Sequence, residues 1–86
     1  MPEIKIYTQP GCPYCMRAVA LLKSKNVQFA EVNAPRGTPE RDEAISLSGG
    51  QTTVPQTFVD GKSLGGCDDL MRLERTGQLN GLLGLS

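Results

Sequence analysis

The stretch "TQPGCPYCMRAVALL", Thr8 to Leu22, decides how this chain folds. Two cysteines stand three positions apart with a proline between them, and an apolar, helix-forming run follows. Proline is favoured at the first helical position, where its missing N–H would have had no intrahelical partner. Pro13 at that position makes Cys12 the N-cap. Cys15, Ala18, Val19 and Leu22 then follow the i, i+3, i+4, i+7 spacing of one helix face. The reading is a helix of about a dozen residues that opens on a cysteine.

Working outward, Glu3 to Tyr7 alternates polar and apolar residues, with Ile4 and Ile6 on one face, and the Gln9-Pro10-Gly11 turn ends it. That is a first strand. Val27 to Val32, "VQFAEV", is rich in strand formers and follows the helix, so it is expected to pair parallel to the first strand as a βαβ unit. Thr38 and Pro39 read as an N-cap and first helical residue of a weaker helix that runs to Ser48 and stops at Gly49-Gly50. Its apolar content is thin, mainly Ala44, Ile45 and Leu47. "PQTFVDGKSLGG" holds two short strands around Asp60-Gly61, the strongest short-range hairpin signal. A last helix is expected from Cys67 to Thr76, with Asp68 and Asp69 in its first turn, Leu70 and Leu73 inward and Gly77 as its stop. Leu79, Leu82 and Leu83 are placed to cap the core with one more helical turn.

Composition narrows the function. A chain of 86 residues buries only about 60 to 65% of its unfolded surface, so residues 1–86 are expected to form a single domain with one site. Net charge is zero, there is no histidine, and no run of like charges tracks a phosphate backbone, which argues against nucleic acid. Glu3 and Lys5 interrupt the only apolar stretch near the N-terminus. It therefore reads as a strand and not as a signal peptide or membrane span, and a cytoplasmic protein without a membrane partner is expected. Three cysteines are too few for a disulfide framework, which fits a reducing compartment.

The N-cap position gives Cys12 its chemistry. A side chain there points back at the free N–H groups of the first turn and sits at the positive end of the helix dipole, so a thiolate is favoured over a thiol. Cys12 is the expected nucleophile. Cys15 lies one turn on, on the same face, close enough to donate its S–H to Cys12 or to close a disulfide with it. Its place on the apolar stripe predicts burial, a raised pKa and the role of resolving cysteine. A zinc site needs four ligands, and one pair plus Cys67 without histidine does not supply them; no metal is expected. Packing explains a cysteine at position 15 but not one between Gly11 and Pro13. A C-x-x-C pair beside a βαβ pattern is a thioredoxin-like signature.

"CPYC" after the first strand, "TVPQTFVDG" before the hairpin and "GGCDDL" opening the last helix together resemble a dithiol glutaredoxin over essentially the whole chain. The resemblance implies an α/β thioredoxin fold: a four-stranded mixed sheet flanked by helices, in the order β-α-β-α-β-β-α plus a short C-terminal helical turn. It implies a cis Val54–Pro55 bond facing Cys12, which is plausible because only X-Pro bonds adopt cis cheaply. Glutathione is the implied co-substrate. Val54, flanked by Thr53 and Pro55, would offer its backbone to the cysteinyl unit as an added strand does. The γ-glutamyl carboxylate would sit at Gly66, Cys67 and Asp68, with Asp68 meeting the ammonium group, and a helix N-terminus suits such an anion.

Several of these positions have plainer readings. Asp68 and Asp69 also suit the dipole of any first turn, above all Asp69. Tyr14 either packs on bound glutathione or is an exposed aromatic. Cys67 is read as a small helix-start residue whose backbone matters more than its sulfur. Gln9 stands where many relatives carry lysine, so weaker glutathione binding is expected than in a lysine-bearing relative.

The implied activity is reduction of protein–glutathione mixed disulfides through Cys12 alone, and of protein disulfides through Cys12 and Cys15. The implied partners are glutathione and oxidised or glutathionylated proteins, met by a monomer. Two rivals stand beside this reading. One is an electron donor served by thioredoxin reductase, against which "GGCDD" argues. The other is a carrier of an iron–sulfur cluster shared by two chains and two glutathiones, which Pro13 disfavours.

Overall fold

The computed structural model describes residues 2–85. Strand β1 (Ile4–Thr8) is followed by helix α1 (Pro13–Ser24), β2 (Ala30–Asn33), α2 (Pro39–Leu47), β3 (Gln56–Val59), β4 (Lys62–Gly65), α3 (Cys67–Arg75) and a short α4 (Leu79–Leu82). The strands form one mixed sheet in the order β2-β1-β3-β4. β1 pairs parallel with β2 and antiparallel with β3, and β3 pairs antiparallel with β4. This is the thioredoxin fold implied by the resemblance.

β1 is central and both its faces are covered. Ile4 and Ile6 pack with Ala18 and Leu22 of α1, Leu70 of α3, and Leu79 and Leu83. Burying each such leucine contributes about 1.5–3 kcal/mol. Tyr7 points the other way, onto Ala34, Ala44 of α2 and Phe58, and its ring meets Phe58 edge-on at 5.4 Å. α1 and α3 thus share one face, joined at their far ends by a Lys25–Glu74 ion pair of 2.6 Å, while α2 covers the other face.

The hairpin turn matches its sequence signal: Asp60 and Gly61 both have positive φ, 51° and 82°, as a two-residue turn between twisted strands demands. Thr38 caps α2 by accepting the Arg41 N–H at 3.2 Å. Three expectations need correction. β2 begins at Ala30 and not at Val27, because the chain leaves α1 through Asn26 at φ 56° and spends Val27 as a core plug instead of a paired residue. Leu47 and Leu82 are exposed. The inner face of α2 is carried instead by Ala44 and by a buried arginine, Arg41, and Leu79 and Leu83 close the core without Leu82. Among the described residues no helix is long and apolar enough to cross a membrane.

Candidate active site

Cys12 is the N-cap of α1, in extended backbone conformation, with Pro13 beginning the helix. Its sulfur accepts the Cys15 backbone N–H at 3.1 Å, satisfying one of the amide groups that a helix start leaves open. The same sulfur lies 4.0 Å from the Val54 carbonyl oxygen, and the Val54–Pro55 bond is cis. Cys15 is buried, and its pKa is pushed up to about 12, first by burial and then by its hydrogen bond with Cys12. It is held as a thiol until something makes it leave its proton. All three cysteines are free.

Beside Cys12 a cleft of about 310 Å³ is lined by Tyr14, Gln51, Thr53, Val54, Pro55, Gly66, Cys67, Asp68 and Asp69. It gathers seven of the eight residues expected to meet glutathione, drawn from α1, the loop before β3 and the start of α3. Gln9, the eighth, lies on the other side of the thiols, in a groove of about 200 Å³ that Cys12 and Cys15 also line. Volume alone would not have found the site. A second cleft of about 310 Å³, between Pro2, Val27, Phe29 and Leu83, has no cysteine in its lining.

The start of α3 is built differently from that of α1. Gly66 is its N-cap and has no side chain to cap with, while the Asp69 carboxylate reaches back to accept the Gly66 N–H at 3.1 Å and also pairs with Arg72 at 2.8 Å. Asp69 therefore closes its own helix, which accounts for it structurally. Asp68 is exposed at the cleft. Gly65 has φ +86°, and a Cβ there would fall 2.2 Å from the Asp69 carboxylate, so glycine is required. Cys67 is buried, and burial first, then the Asp68 carboxylate, push its thiol pKa up. Tyr14 is 56% exposed at the cleft rim, with the Arg17 guanidinium 5.6 Å from its ring centre.

Arg41 escaped the sequence reading. The residue is only 4% exposed, and its guanidinium donates to Gln9 Oε1 at 2.9 Å, the Ala34 carbonyl at 2.8 Å and the Thr52 carbonyl at 3.1 Å. It thereby ties the loop before Cys12 to the loop before Val54. The signal was present: Arg41 shares the i, i+3, i+4 stripe with Ala44 and Ile45, the only apolar face α2 has. Among the described residues no group of three or more histidine, cysteine or acidic side chains is placed to hold a metal ion.

A thiol at a helix start beside a buried partner thiol can carry out thiol–disulfide exchange, and the relatives agree. Residues 4–64 match the Glutaredoxin family model. The chain is 49% identical over 83 residues to glutaredoxin 3 of Escherichia coli strain K12, covering 96% of this chain and 99% of that protein. It is 52% identical over 81 residues to glutaredoxin 1 of Rickettsia typhi, covering 93% and 78%. The solution structure of a glutaredoxin from Brucella melitensis superposes with a TM-score of 0.81 at 49% identity, covering 96% of this chain and 89% of that one. A crystal structure of a buckwheat glutaredoxin–glutathione complex superposes at 0.84 with 26% identity, covering 96% and 77%. With its paired thiols on this fold, the chain belongs to the glutaredoxin family and is a thiol–disulfide oxidoreductase.

Proposed function

We propose that this protein reduces protein–glutathione mixed disulfides and protein disulfides with glutathione as its reductant. The observation that carries the reading is the position of the Cys12 sulfur: it caps α1, lies beside the Val54 carbonyl, and borders a cleft whose far wall is a helix start capped by a glycine. The buckwheat relative is a glutathione complex, which supports the choice of ligand. In this reading the Val54 backbone pairs with the cysteinyl unit, with Thr53 and Pro55 shaping the strand. The γ-glutamyl carboxylate meets the amides at Gly66, Cys67 and Asp68, and the Asp68 carboxylate meets the ammonium group. Tyr14 covers the ligand from α1, and Gln9 reaches the glycyl end.

In the first route the Cys12 thiolate attacks the glutathionyl sulfur, the substrate leaves as a thiol, and a second glutathione displaces the first as glutathione disulfide. In the second, Cys12 forms a mixed disulfide with the substrate protein. Cys15 then displaces that protein by forming the Cys12–Cys15 disulfide, which two glutathiones reduce. A glutathione-coupled turnover assay separates the routes. Cys12→Ser abolishes both, while Cys15→Ser keeps release of glutathione from proteins and loses protein-disulfide reduction. Equal damage from the two substitutions would contradict the roles given to them.

A further inference from the structure

Arg41 is placed where a cation is expensive. It is buried, it lies in the first turn of α2 where the helix dipole disfavours positive charge, and no carboxylate among the described residues is within ion-pair distance of it. Its three acceptors are all neutral: two backbone carbonyls and the Gln9 amide. The charge strengthens these hydrogen bonds, but none of the three acceptors neutralises it. Departures of this kind gather at functional sites.

The group that can use the charge is Cys15. Gln9, bonded to Arg41, lines the same groove as both thiols. We propose that Arg41 is a positioning residue for the resolving step: through Gln9 it keeps a buried positive charge behind Cys15, so that this thiol can give up its proton and attack. The inference rests on the dithiol route above. Once Cys12 carries the substrate sulfur, the Cys15 thiol loses its proton and its sulfur attacks Cys12 Sγ. The bond from Cys12 to the substrate breaks, and the substrate departs with the electron pair and a proton. The Cys12–Cys15 disulfide is left, with the substrate reduced and the protein oxidised by two electrons.

The charged and titratable neighbours are few. Cys12, the cap of the same helix, raises the Cys15 pKa, Glu31 of β2 lines the groove, and Arg41 of α2 reaches the groove through its bond to Gln9. The Gln9 main chain and the Arg41 charge are the two influences that favour the ionised form of Cys15.

The test needs no glutathione. The reduced protein is mixed with dithiobisnitrobenzoate, a coloured-leaving-group disulfide, with Cys67→Ser in every sample so that only two thiols report. Release of the first nitrothiobenzoate marks attack by Cys12; release of the second marks attack by Cys15. Arg41→Gln should slow the second release about tenfold at neutral pH and move its pH profile to higher pH, whereas Arg41→Lys should restore both. An unshifted profile in Arg41→Gln, or equal slowing in Gln and Lys with no shift, would overturn the proposal. Should Arg41→Gln fail to fold, Gln9→Glu neutralises the cation in place and must slow the same step; an unaltered rate would likewise overturn it. Absence of glutathione-coupled turnover in a protein that passes this test would count against the proposed reductant alone.

Discussion

Two helix starts face one cleft and are finished in opposite ways. α1 is capped by its own cysteine, whose sulfur accepts the Cys15 amide; α3 is capped by a glycine, which leaves its first turn without a side-chain acceptor at the cap. The first start carries the sulfur proposed to react, and the second is proposed to receive a ligand. The same physics, unpaired amides at the positive end of a dipole, is used internally in one case and left available in the other.

The sharpest way to break this contrast is at Gly65. An alanine at φ +86° would be strained and would drive the Asp69 carboxylate off the Gly66 amide. Gly65→Ala is expected to lower stability by about 2–3 kcal/mol, read as a fall in Tm of roughly 10–20 °C. A Tm within a few degrees of wild type would show that the α3 start does not depend on this clamp.

The α1 start has a pH signature. Cys15 is held as a thiol with its folded pKa raised from 9.0 to about 12, so its contribution is fully present below its unfolded value and is lost as pH climbs from there through 12. Chemical denaturation of the reduced protein over that range should show a loss on the order of 4 kcal/mol that is missing from Cys15→Ser. Parallel curves for the two proteins would contradict the burial of a protonated thiol.

At the α3 start, Asp68→Asn removes the charge proposed to meet the ligand's ammonium and should raise the KM for glutathione about tenfold while changing kcat little. An unaltered KM would return Asp68 to the role of dipole complement. The smallest change makes the two starts alike. Gly66→Ser supplies the missing cap, and the KM for glutathione should rise about threefold while stability rises by a few tenths of a kcal/mol. If both quantities stayed at wild-type values, the glycine cap would have no part in binding.

The legibility of the two starts differs for a physical reason. Cys12, Pro13 and Cys15 lie within one helical turn, so cap, helix start and buried partner follow from local rules, and the structure places these three as read. The Asp-Gly turn and the parallel pairing of β1 and β2 were legible on the same local grounds. Roles that depend on contacts between distant segments were not. Asp69 looked like a dipole complement and is the clasp of α3. Val27 looked like a strand residue and is a core plug. Arg41 drew no reading and bridges Gln9 to Thr52 across the fold. Its place on the stripe with Ala44 and Ile45 was the one signal, and hydrophobic periodicity passes over it because that pattern assumes apolar residues fill the inner stripe.

Everything proposed for the cleft depends on which sulfur accepts the glutathionyl group. Incubating reduced Cys15→Ser protein with a glutathionylated peptide and locating the adduct by mass spectrometry asks this most directly. Glutathione on Cys12 is the expected result; an adduct confined to Cys67, or none on the protein, would contradict the assignment of the nucleophile.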